Sequence, residues 1–130
     1  MPQTGLGIAL KTLRERNGMS LREIGQRSST DHAYIHRLET GEKTSPSNEL
    51  VAKLLAVLRP SERDAGIVYW LMDHPEADVN LVDYALQDGD VSLEVFSAAA
   101  GMKHRGTIRP DPATLISRVR RAFEDDDEDG

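Results

Sequence analysis

Apolar residues recur at intervals of three and four along most of the chain. Leu6, Leu10 and Leu13 repeat at i, i+4 and i+7, the stripe of an amphipathic helix, with Arg14 and Arg16 following and Gly18 as a stop. Ser20 is a good N-cap for a second short helix through Leu21, Ile24 and Arg27, which ends in the polar stretch Ser28, Ser29, Thr30. Asp31 caps a third, in which Tyr34, Ile35 and Leu38 are apolar, His32, Ala33, His36 and Arg37 are left for the outside, and Gly41 ends the pattern. After a loop, Ser47 opens a fourth helix with Leu50, Val51, Leu54, Leu55 and Leu58 turned inward.

The second half keeps the same period. Ser61 and Asp64 resemble a capping box before Ile67, Val68, Trp70, Leu71 and Met72, and Pro75 fits the first turn of a sixth helix carrying Val79, Val82 and Leu86, which Gly89 ends. A short alanine-rich helix follows from Ser92 to Gly101. The stretch KHRGTIRPDP has no period and reads as loop, and ATLISRVRRAFE predicts a last helix before a run of acids. Nothing alternates like a strand, so the chain is expected to be all-α. The likeness between MSLREIGQRSS and VSLEVFSAAAG is convergence on a capped helix rather than a repeat, because no second reading helix follows Gly101.

Charge divides the chain. The formal net charge is −6, yet residues 1–58 carry eight Lys/Arg against six Asp/Glu, and residues 59–130 carry eight against sixteen. A polyanion would meet the first half more willingly. There is no cysteine, which excludes disulfides and thiolate metal sites, and no apolar run approaches the ~20 residues of a membrane span. MPQTGLG lacks the basic and apolar regions of a signal peptide, so a soluble, cytoplasmic protein is expected.

His32 and His36 stand one helical turn apart, the spacing of many zinc ligands. A zinc protease motif would place a glutamate where this chain has Ala33, and no third ligand presents itself, so no metal and no cofactor is expected. No carboxylate pair, nucleophile motif or glycine loop for phosphate is present, and no catalytic residue is assigned: the chain is not expected to be an enzyme.

Taken together, LKTLRERNGMSLREIGQRSSTDHAYIHRLETG resembles the helix-turn-helix of lambda-repressor and Cro-type regulators, the xenobiotic-response-element (XRE) family, over roughly residues 6 to 58. The resemblance rests on Leu10, Leu13, Arg14, Gly18 and Ser20, on Glu23, Ile24 and Gly25, on Ile35, Leu38, Glu39 and Gly41, and on Pro46, Ser47, Val51, Leu54 and Leu58. Leu21 stands where the family often has a glutamine, and Ser28 and Ser29 replace the usual apolar residue and turn glycine.

The resemblance implies a five-helix lambda-repressor-like domain; beyond it the apolar period predicts additional C-terminal helices, and the acidic run at 124–130 predicts a disordered tail. The resemblance also implies an ion pair of Arg14 with Glu39 and a glycine at the crossing of helices two and three, Gly25. His32, Ala33 and His36 would read bases of an operator in double-stranded DNA, Tyr34 and Arg37 would reach bases or flanking phosphates, and Ser20, Arg22, Lys43 and Thr44 would contact phosphates. Residues 1–59 are expected to form the DNA-binding domain and 60–123 a helical extension. Leftover apolar surface at Ile67, Trp70, Leu71, Val79, Val82, Leu86 and Phe96 points to a homodimer through that extension. A dimeric repressor is the expected function. The alternative is an antitoxin or anti-activator that keeps the fold and engages a protein through its acidic half. The acidic run could also compete with DNA, or dock on Arg118, Arg120 and Arg121.

Overall fold

A computed structural model describes residues 3–102 and 110–129, with side chains of the last helix described to Asp125. The described residues form eight α-helices and no strand: α1 (Gly5–Arg16), α2 (Leu21–Ser28), α3 (His32–Thr40), α4 (Asn48–Leu58), α5 (Glu62–Asp73), α6 (Val79–Gln87), α7 (Leu93–Ala100) and α8 (Pro112–Asp129). The loop expected across Lys103–Arg109 lies outside the described residues.

Capping explains where the helices begin. Ser20, Asp31, Ser47, Ser61 and Ser92 each accept a backbone N–H two or three residues into the helix they precede, which satisfies a donor the helix cannot pair internally. Thr4 does the same for α1 and Asp78 for α6. The sixth helix therefore starts at Val79 and not in the turn of Pro75. Pro75 belongs instead to the connection in which the Ala77 N–H donates to the His74 carbonyl.

One core holds all eight helices together. α1 packs against α3 on the one hand and against α5 and α6 on the other. Its fully or nearly buried Leu6, Ala9, Leu10 and Leu13 share a continuous apolar cluster with Ile35 and Leu38 of α3 and with Ile67, Leu71, Val82 and Leu86 of α5 and α6. Burying leucines of that stripe stabilises the fold by ~2 kcal/mol each, as an upper figure. Packing thus runs unbroken past residue 59, and α5 lies directly on the N-terminal helices.

Polar contacts reinforce the same seam. Asn17 Nδ2 donates to the Leu13 and Leu58 carbonyls at 2.8 and 3.0 Å, tying the end of α1 to the end of α4. Buried Asp64 of α5 accepts from Arg16 at 3.3 Å, and Arg16 also donates to the Leu86 carbonyl. Arg63 gives Nη1 to the carbonyls of Ala85 and Val91 at 2.7 and 3.0 Å, completing a two-arginine cap on the C-terminal end of α6. Its Nη2 stands 2.8 Å from Asp64 Oδ1, an ionic contact outside hydrogen-bond alignment, since that oxygen has no hydrogen-bond partner.

Two expectations are corrected. Ile67, Leu71, Val82, Leu86 and Phe96, expected at a subunit interface, are 0–1% exposed inside the single chain, and Trp70 and Val79 are half-buried. Their apolar faces are covered by α1, α7 and α8: Trp70, for example, meets Phe96 edge-on at 5.3 Å and stacks on His74 at 3.8 Å. The acidic run, expected to be a disordered tail, continues α8 through Asp129. Once a helix has formed, each added residue gains a backbone hydrogen bond, so propagation past Phe123 is far less costly than nucleation.

Candidate nucleic-acid interface

The α2–α3 unit is built around a close crossing. At Gly25 a Cβ would stand 2.8 Å from the Thr30 carbonyl and 3.1 Å from His32 Cβ, so only a hydrogen there lets the turn and the start of α3 lie against α2. Ser29 turns the chain in the left-handed conformation, φ 55°, where the resemblance expects glycine. Buried Ser28 answers for its hydroxyl by donating to the Ile24 carbonyl at 2.6 Å.

α3 is fixed from behind at two points. Glu39, 4% exposed, accepts Nε and Nη2 of Arg14 at 2.8 and 2.9 Å, and the third arm of Arg14 donates to the Met19 carbonyl at 2.9 Å. The hydrogen bonds that Arg14 donates to Glu39, aided by the carboxylate's charge, hold the Arg14 guanidinium above its ordinary pKa, against the opposing pull of burial. At Gly7 of α1 a Cβ would come within 2.5 and 2.7 Å of the Leu38 and Glu39 carbonyls, so α1 and α3 touch backbone to backbone. Gly7 was not singled out in the sequence. A signal was there, because glycine in the first turns of a helix lowers its stability and needs a packing reason.

With Ile35, Leu38 and Glu39 turned inward, the helical period places His32, His36 and Arg37 outward, and all are exposed. Ala33 is half-exposed on the same side. Tyr34 stands apart from the other expected base readers: it is half-buried and packs on the core, because it lies beside Leu38 around the helix. Thr40 joins the outer face at the last turn, its hydroxyl donating to the Arg37 carbonyl at 3.2 Å.

Around this face the expected phosphate contacts are all at the surface. Ser20, Arg22, Lys43 and Thr44 are exposed. The Ser20 hydroxyl already accepts the Glu23 N–H at 3.0 Å. Arg22, Arg37 and Lys43 form no ion pair among the described residues, so their charges are free to meet an anion. Arg22, Gln26, Ser29, Thr30, Asp31 and His32 line one open groove where α2 meets the start of α3. Gln26 is the addition: exposed on α2 and beside His32 in this groove, it was not foreseen because only the fold brings the two helices' outer faces together.

Asp31 puts one negative charge at the edge of the groove, where it accepts the Ala33 N–H at 2.9 Å as N-cap. Among the described residues no group of three His, Cys, Asp or Glu could hold a metal ion, and His32 and His36 have no third partner beside them. No described helix is long and apolar enough to cross a membrane.

No curated protein and no solved structure matches the chain. A family model described as a helix-turn-helix domain matches residues 6–65. That span takes in α1 to α4 and the first residues of α5, and so contains the Arg14–Glu39 pair, the Gly25 crossing and the whole outer face of α3. Residues 6–65, just under half of the chain, thus match a helix-turn-helix domain, the type of domain that DNA-binding regulators carry, and the regular structure of the described residues is all helical.

Proposed function

We propose that the protein is a sequence-specific transcriptional regulator of the XRE type, a dimeric repressor that reads a two-fold symmetric operator through α3. The observation that carries this reading is the uncovered outer face of α3, with His32, His36 and Arg37 exposed on a helix whose inner face is locked by Glu39 and by the Gly7 contact. A helix so held is preorganised for the major groove, where the residues near its N-terminus meet base edges.

Each imidazole donates to a guanine acceptor or accepts from an adenine amino group, according to its tautomer, and Ala33 packs on a thymine methyl. Arg22, Arg37 and Lys43 neutralise phosphates, with Ser20 and Thr44 adding hydrogen bonds that set register. A single short reading helix gives limited discrimination. Two copies addressing half-sites a whole number of helical turns apart supply the rest. The role is binding, not catalysis, and its place is the cytoplasm.

The test is selection of random duplexes on the full chain at near-physiological salt, in parallel with a His32→Ala, His36→Ala variant. A two-fold symmetric motif that the variant loses supports the reading. Enrichment of no sequence by the wild type refutes it and turns attention to a protein partner.

A further inference from the structure

We propose that Asp31 is a specificity-determining residue, whose carboxylate selects a cytosine at one position of each half-site by accepting a hydrogen bond from the base's amino group. The inference rests on the DNA reading above and deepens it, because that reading gives this acid no task at the bases.

Capping alone does not explain a charge at this place. Serine caps α2, α4, α5 and α7, each time accepting a backbone N–H on its hydroxyl oxygen. Serine and aspartate serve about equally well as N-caps. On the helix that faces a polyanion, a carboxylate is also repelled by every phosphate it approaches. An uncharged cap would hold α3 without that cost.

The geometry leaves the charge a second use. The cap occupies one oxygen only, since Oδ1 accepts the Ala33 N–H at 2.9 Å. Oδ2 has no protein partner among the described residues, and Asp31 forms no ion pair there, not even with Arg22 of the same groove. The cap therefore orients the carboxylate and keeps one acceptor open. Asp31 is exposed, borders the groove between α2 and the start of α3, and immediately precedes His32. It stands at the N-terminal end of the reading helix, the end that meets base edges.

Base chemistry then names the partner. In the major groove guanine presents N7 and O6 and thymine presents O4, all acceptors that repel a carboxylate. Adenine offers its amino group beside N7, so one favourable contact is offset by one repulsion. Cytosine offers its N4 amino group with no acceptor of its own on that edge, and there the charge is answered by a charge-assisted hydrogen bond. The same carboxylate lowers affinity wherever no amino group faces it, so it discriminates by penalty as well as by contact.

Asp31→Asn and Asp31→Ser both keep an N-cap, so helicity and the thermal midpoint should stay near those of the wild type. Random duplexes are selected on the full wild-type chain and on both variants, and the enriched positions are checked by competition titration. The wild type should enrich a two-fold symmetric motif with a C·G pair at a fixed place in each half-site, preferred over T·A by about tenfold. Asp31→Ser should lose that preference at that place alone. Asp31→Asn should shift it toward adenine, whose N6 and N7 an amide matches, and both variants should bind random duplex more tightly. Variants that enrich the wild-type motif unchanged overturn the inference and leave the DNA reading standing. So does a loss of affinity spread evenly over all sequences, which is what a purely structural cap would give. A wild type that enriches no motif overturns the reading, and the inference with it.

Discussion

Arg14 and Glu39 meet through two parallel hydrogen bonds of 2.8 and 2.9 Å, and the same guanidinium reaches the Met19 carbonyl. One side chain on α1 thereby fixes both the inner face of the reading helix and the approach to α2. Removing either partner leaves the other's charge in a place water scarcely reaches. Arg14→Met or Glu39→Leu should each lower unfolding free energy by about 3 kcal/mol, and the double variant should lose much less than the two combined, as read from urea denaturation.

Ser29 holds a left-handed conformation, φ 55°, that costs a non-glycine residue about 1–2 kcal/mol. Its side chain is exposed. Ser29→Gly should therefore raise stability by about 0.5–1 kcal/mol, seen as an upward shift of the thermal midpoint with no loss of helicity.

Gly7→Ala tests the backbone contact of α1 with α3. A methyl there overlaps two carbonyl oxygens that cannot swing aside, so the helices must part. The expected cost is about 1–3 kcal/mol, accompanied by weaker DNA binding, because the displaced element is the reading helix itself.

Base readers and phosphate contacts separate by salt. Arg37→Ala or Lys43→Ala should weaken binding to all sequences alike and flatten the dependence of log affinity on log salt by about 0.9 per lost phosphate contact. His32→Ala should instead leave the slope unchanged and cost about 1–3 kcal/mol of discrimination at one base position. A fluorescence titration across salt concentrations with operator and random duplexes distinguishes the two outcomes.

Acid should loosen the start of α8. The Thr114 side chain and N–H hydrogen-bond Asp111 and hold its carboxyl below the usual range, with Arg118 adding a favourable charge. Its folded pKa is lowered, so the support it gives is complete above the ordinary aspartate value, about 3.9, and is lost as pH falls through the lower folded one. Comparing the acid titration of helicity in the wild type and in Asp111→Asn should show that loss in the wild type alone.

Much of the fold was legible because local rules decide it. The stripes through Leu6, Leu10 and Leu13 and through Val51, Leu54 and Leu58, with caps at Ser20, Asp31 and Ser47, place α1 to α4 without reference to anything distant. Pro75 misled because proline suits a first helical turn and a connection equally well, and the Asp78 cap settles the matter. The faces of Ile67, Val82 and Phe96 misled for another reason. An apolar stripe states that something covers it, and periodicity cannot tell a neighbouring helix of the same chain from a second copy.

The outer face of α3 was readable from its period alone, apart from Tyr34, whose angle around the helix lies too near Leu38 for it to stand clear. Gln26 was not readable. It matters because α2 and α3 turn back on each other at Gly25 and share one groove.

The unbroken core through α1 also determines how the protein can be taken apart. A fragment ending at residue 59 would leave Leu6, Leu10 and Leu13 wet on the side that α5 and α6 now cover, and would strand Arg16 without Asp64. The reader is therefore no portable module to be clipped out and fused elsewhere. Heat or denaturant should melt the operator-facing helices and the packed C-terminal helices in a single cooperative step.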